Sequence, residues 1–160
     1  MTQFDRALSA LTTRGVKFVV IGAVAAVARG AAQSTQDLDI CYERSSENIE
    51  RLVASLQPFH PRLRDIPPSV PFRFDVPTLR NGMNFTLATD IGDIDLFGEL
   101  PGVGGFVQAA TGATEMELFG SRCGIASLDT IISAKRAAGR PKDLIALKEL
   151  EALRELNRNE

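Results

Sequence analysis

Apolar and polar positions along this chain change period several times, and each change marks an element. Phe4, Leu8 and Leu11 recur at helical spacing ahead of Gly15, which predicts an opening helix packed by one face. Val16 to Ile21 is an apolar run rich in β-branched residues and short enough to be a buried strand. Gly22 ends that run, and Ala23 to Arg29 then reads as a helix of small residues closed by Gly30. After the polar link Gln33-Ser34-Thr35-Gln36, charged and apolar residues alternate through Asp37-Leu38-Asp39-Ile40-Cys41-Tyr42. A strand with that alternation sends Asp37 and Asp39 out on one face while Leu38 and Ile40 enter the core.

The next helix is marked by the stripe Ile49, Leu52, Val53 and Leu56, with Ser45 or Ser46 as its cap, Glu47 in its first turn and Pro58 beyond its end. Prolines crowd the stretch 58–77, which predicts an irregular excursion with a short edge strand at Phe72-Arg73-Phe74, a loop of functional or mobile kind. His60, inside it, has no partner in sequence and is given no role. Asn84–Thr89 and Asp93–Phe97, joined through Asp90-Ile91-Gly92, predict a hairpin, with Asp93 and Asp95 on one face. Met116–Phe119 and Arg122–Ala126 read as two more short strands around Gly120. Ser127 then caps a helix carrying Leu128, Ile131, Ile132 and Lys135, broken at Gly139 and Pro141. Leu144, Leu147, Leu150, Leu153 and Leu156 mark a last helix, and that stripe is mainly core packing. The fold class is therefore α/β (α+β): a mixed sheet flanked by helices, with a C-terminal helical pair.

Composition bounds what this order of elements can do. A chain of 160 residues that is 44% hydrophobic suits one soluble domain, read as a core over 1–126 with a helical segment over 127–160 packed on it. A net charge of −2 argues against a protein that coats nucleic acid, although Lys135, Arg136, Arg140 and Lys142 gather base near the C-terminus. No apolar run is long enough to span a bilayer, and the N-terminus lacks the basic start and apolar core of a secretion signal. Cys41 and Cys123 have no metal-ligand spacing and are expected as buried free thiols. A cytoplasmic protein with no membrane partner is the expectation. Pro101-Gly102-Val103-Gly104-Gly105 lacks the Lys-Ser/Thr of a phosphate loop and reads as a plain loop.

The adjacent aspartates carry the chemistry. Asp37 and Asp39 repel each other on one face of a strand, and a bound cation removes that repulsion. Mg²⁺ takes hard oxygen ligands of this kind together with substrate phosphates.

The ordered set of strand, Gly22-Ala23 turn, short helix and Asp37-x-Asp39 resembles the polymerase-β-like nucleotidyltransferase superfamily. The local form of Ile21–Gly30 followed by Ser34-Thr35 and Asp37–Ile40 is similar to the small bacterial domains of the AbiEii and MntA kind. The resemblance implies a nucleotidyltransferase fold and Mg²⁺-dependent transfer of a nucleoside monophosphate from a triphosphate to a hydroxyl. It implies Asp37, Asp39 and Asp95 as catalytic metal ligands in a two-metal site, with Asp95 also drawing the acceptor proton. Asp93, one pleat away, is the alternative third carboxylate. Gly22, Ala23, Ser34 and Thr35 are expected at the phosphates. In the C-terminal motif Lys135 is expected to reach the phosphates and Asp143 to hold a neighbouring base, or simply to favour the start of the last helix.

Two residues depart from the family pattern: Ala23 stands where Gly or Ser is usual, and Gln33 where Arg is frequent. They keep a second reading open, a nucleotide- or partner-binding module of the same fold without catalysis. The implied partners are a nucleoside triphosphate and a protein, tRNA or small-molecule acceptor, within a toxin–antitoxin or defence pair.

Overall fold

The computed structural model describes residues 2–158. Residues 159 and 160, the end of the expected C-terminal segment, lie outside the described residues. Helix α1 (Phe4–Thr13) buries Ala7, Leu8 and Leu11 and leads into β1 (Phe18–Ile21), every residue of which is buried. Next come α2 (Gly22–Ala28), β2 (Asp37–Tyr42) and α3 (Ser46–Leu56). Ser45 caps α3, its Oγ accepting from Asn48 N. Buried Asn48 in turn accepts from Lys17 N at 2.7 Å and donates to Lys17 O and Glu43 O, so the start of α3 is fixed to the ends of β1 and β2.

The proline-rich stretch corrects the expectation of an edge strand at Phe72–Phe74. Those residues are irregular, and the edge strand is β3 (Arg62–Leu63), paired antiparallel with β4 (Asn84–Thr89). A further helix, α4 (Val76–Asn81), went unread in the sequence; Pro77 sits in its first turn, and Asp75 caps it by accepting from Thr78 N. Crowded prolines predict irregular chain here, yet the fixed φ of Pro77 suits the first turn of a helix. Strand β5 (Gly92–Phe97) completes the hairpin with β4.

The chain continues through α5 (Phe106–Ala110), β6 (Thr114–Leu118), β7 (Ser121–Ile125), α6 (Leu128–Ala138) and α7 (Pro141–Arg158). Gly139 ends α6 in the left-handed conformation with φ 63°. In α7 only part of the expected stripe packs inward. Leu147 and Leu150 are buried, whereas Leu144 and Leu156 are exposed, because α7 meets α6 along one side and leaves the rest to solvent.

The strands form one seven-stranded sheet in the order β3-β4-β5-β2-β1-β7-β6. Pairing is parallel between β2 and β5 and between β1 and β7, and antiparallel elsewhere. At its centre the parallel register sets Asp37 opposite Asp93 and Asp39 opposite Asp95. Their neighbours Leu38, Ile40, Ile94 and Leu96 are fully buried, so the alternation that fills the core also raises a row of carboxylates. Among the described residues, no helix is long and apolar enough to cross a membrane.

Candidate active site

The carboxylate row opens onto a cleft of about 1080 Å³. Asp37, Asp39 and Asp95 line it from the sheet, Ala23, Gln33, Ser34 and Thr35 from the α2–β2 link, and Lys135 and Arg140 from the C-terminal helices. Asp93 is not among its lining residues. An adjoining pouch of about 290 Å³ shares Asp39, Lys135 and Arg140 and adds Gly22, Asp143 and the apolar side chains of Ile21, Phe97, Leu100 and Ala134. Apart from Asp93, the site residues expected from sequence line one or other of these two spaces. Glu149 ties the far wall together, its Oε2 accepting from Ala32 N at 3.0 Å.

Gly22 is required at the bend for two reasons. Its φ of +67° is left-handed, and a Cβ there would overlap the carboxylate of Asp39. The strand-to-helix turn therefore presses directly on the Asp39 side chain, while Ala23 turns to the larger cleft. Of the polar link residues, the Thr35 hydroxyl is used locally, donating to Asp37 O and accepting from Asp37 N, whereas Ser34 is exposed.

Two buried side-chain atoms lack a hydrogen-bond partner among the described residues: Oδ1 of Asp39 and Nε2 of Gln33. Both residues line the same cleft. A buried polar group left unpaired costs roughly 1–3 kcal/mol, so an unpaired acceptor and an unpaired donor in one cleft are polar atoms open to pairing by a ligand or by water. Burial, and then the negative charges of Asp95 and Asp37, push the Asp39 carboxyl up to about 8, opposed by Lys135. Burial also raises Asp95, with Arg64 pulling the other way.

The basic side of the cleft is organised by Asp143, whose side chain is almost wholly buried. It accepts from Arg140 Nε at 2.7 Å and from Arg140 N at 3.2 Å, and Lys135 Nζ lies 3.6 Å away. Burial alone would raise its carboxyl, but the bonds and charge of Arg140, with Lys135, hold it below the usual carboxylate range. Asp143 thus sets two cations at the mouth of the pouch facing Asp39.

Arg64 was missed in the sequence. It follows β3, and its guanidinium donates to Asp95 Oδ1 at 2.8 Å and stands 3.6 Å from Asp93 and 3.9 Å from Asp37. No local signal in a proline-rich segment would have selected it. Only the pairing of an edge strand with β4 brings it across the sheet.

These residues suit a hard divalent cation in their chemistry: clustered carboxylates, one of them with an orphaned buried oxygen. Among the described residues no three Asp, Glu, His or Cys side chains form a ready-made cage, and Arg64 stands between Asp37, Asp93 and Asp95.

No family model and no curated protein matches this chain. Solved structures do, and they give the class: a mixed α/β sheet flanked by helices, in the nucleotidyltransferase fold. A crystal structure from Thermotoga maritima, of a protein provisionally assigned as a nucleotidyltransferase, matches 100% of this chain and 97% of its own with a TM-score of 0.57. Sequence identity is 16%, so the likeness is one of fold.

Proposed function

We propose that this protein is a Mg²⁺-dependent nucleotidyltransferase that moves a nucleoside monophosphate from a nucleoside triphosphate to a hydroxyl acceptor. One observation carries the reading: Asp39 has a buried oxygen without a partner, beside Asp37 and Asp95 in a cleft whose opposite side presents Lys135 and Arg140. Carboxylates gathered opposite fixed cations suit a ligand that brings both a metal and phosphates.

Asp37, Asp39 and Asp95 would hold Mg²⁺, which when bound neutralises charge on the triphosphate and on the departing pyrophosphate. Lys135, held by Asp143, is placed to donate to a phosphate oxygen, with Arg140 beside it. Ser34 and the backbone at Gly22 and Ala23 offer further donors along the phosphate path. Asp95 would take the proton of the acceptor hydroxyl as its oxygen bonds to the α-phosphorus and the bond to the β-phosphate breaks. The modest charge favours a protein or small-molecule acceptor over tRNA, in keeping with a domain of the AbiEii or MntA kind acting within a toxin–antitoxin or defence pair.

A second reading, a nucleotide-binding module without catalysis, is favoured by Arg64 standing among the carboxylates and by Ala23 at the turn. One experiment separates the two. The protein is incubated with α-labelled ATP, GTP, CTP and UTP, Mg²⁺ and a cell lysate. Label transfer that disappears in Asp39→Asn supports the enzyme; triphosphate binding with no transfer to any acceptor supports the module.

A further inference from the structure

We propose that Arg64 is a resident second cation of the carboxylate cluster, so that the cleft takes one divalent ion per chain where a two-metal site would take two. The inference rests on the metal-dependent reading above and narrows it.

The guanidinium reaches three of the four aspartates on β2 and β5. Nη2 donates to Asp95 Oδ1 at 2.8 Å and lies 3.9 Å from Asp37 Oδ2, while Nη1 lies 3.6 Å from Asp93 Oδ2 and donates to Leu87 O at 3.0 Å. Asp39 is the one it leaves out, and Asp39 alone of the four keeps a buried oxygen without a partner. The cluster is therefore divided: three carboxylates share one protein cation, and the fourth lies outside its reach.

The position of Arg64 is fixed by the backbone. Its own N–H donates to Thr86 O at 2.9 Å, extending the pairing of β3 with β4. Two non-glycine residues in the left-handed region, His60 (φ 53°) and Asp65 (φ 63°), turn the chain into and out of this short segment. Such backbone persists only where surrounding contacts over-determine it. Here Asp90 supplies some of them, donating its N–H to Phe59 O and placing its carboxylate 2.6 Å from His60 Nδ1. The Arg64 side chain is only 20% exposed, which limits the water available to screen its charge.

A guanidinium does not lose its proton in a protein, so this cation is present at every working pH. A second divalent ion bound through Asp95 would have to share that carboxylate with a fixed positive charge within hydrogen-bond distance. A single ion at Asp39 and Asp37 meets the guanidinium only at 3.9 Å from Asp37, against 2.8 Å at Asp95.

The test is a count of bound Mn²⁺, without nucleotide, on the full chain, by electron paramagnetic resonance of the free ion and by calorimetric titration. The wild-type protein is expected to bind one Mn²⁺ per chain. Arg64→Met and Arg64→Gln, which lack the charge, are expected to bind two, with the second affinity raised at least tenfold over any residual wild-type binding; Arg64→Lys is expected to keep one. Two Mn²⁺ in the wild type overturn this inference and leave the metal-dependent reading standing. One Mn²⁺ in folded forms of both neutral variants also overturns it. No Mn²⁺ in the wild type overturns both. If the neutral variants fail to fold, the wild-type and Arg64→Lys counts still decide, two ions in either being the contrary result.

Discussion

Replacing Asp39 with Asn is expected to stabilise the metal-free protein at alkaline pH while abolishing its response to Mg²⁺. Burial and the neighbouring charges of Asp95 and Asp37 raise this carboxyl from 3.8 to about 8 in the folded chain. The unfolded chain releases the proton near the ordinary value, so between the two values the folded state holds a proton that the unfolded state has lost. Stability contributed by that proton is complete below the ordinary carboxylate range and drains away as pH rises toward 8. At ~1.4 kcal/mol per pH unit, the loss has a ceiling on the order of 5 kcal/mol, reduced by whatever water the cleft admits. Asn carries no such proton, so the variant escapes the drain.

The assay is chemical denaturation in a chelator at pH 5 and pH 8.5. Asp39→Asn should gain about 2 kcal/mol or more on the wild type between those conditions. Mg²⁺ added at the higher pH at a hundredfold excess over its dissociation constant should then stabilise the wild type by ~2.7 kcal/mol and leave the variant unmoved. A wild-type-to-variant difference that stays constant across the pH range refutes the reasoning, because it would mean that the carboxylate is ionised and satisfied in the metal-free fold.

Other positions give independent checks. Gly22→Ala is expected to destabilise by roughly 1–2 kcal/mol from its left-handed backbone alone and to cost more through overlap with Asp39, seen as a lowered melting temperature and loss of Mn²⁺ binding. Asp143→Ala leaves Lys135 and Arg140 without their buried partner and should cost about 1.5–3 kcal/mol by denaturant titration. Because the Asp143 carboxyl is held below its ordinary value, its contribution is present above the usual carboxylate range and lost as acid protonates it, so the wild-type advantage over Asp143→Ala should shrink as pH falls. Ser45→Ala removes the cap of α3, far from the metal ligands, and should cost about 1 kcal/mol with Mn²⁺ binding unchanged.

Most of the site was legible because its residues are fixed by short-range pattern. The alternation in Asp37–Tyr42 and Gly92–Phe97 sets each side chain's face without reference to the rest of the fold, and the two strands needed only to pair. Gly22 was visible as a break, although its second duty, clearing room for Asp39, depends on a contact 17 residues away in sequence. Arg64 was hidden for the opposite reason. Its place depends on an edge strand two residues long, set among prolines that suggest irregular chain, and periodicity carries no signal over two residues. The helix at Val76–Asn81 is hidden for a related cause, since Pro77 begins its first turn at the end of a proline-crowded stretch that predicts irregular chain. In α7 the regular leucine stripe predicts mainly core packing, but a stripe shows only which face is apolar, and the extent of α6 decides how much of it is covered.

The central claim is that metal and triphosphate meet at Asp39. Calorimetric titration of a non-hydrolysable nucleoside triphosphate, with and without Mg²⁺, tests it most directly. Binding by the wild type that requires Mg²⁺, disappears in Asp39→Asn and weakens at least tenfold in Lys135→Ala is the predicted result. Equal triphosphate binding by the wild type and Asp39→Asn, or none by the wild type for any of the four bases, would contradict it.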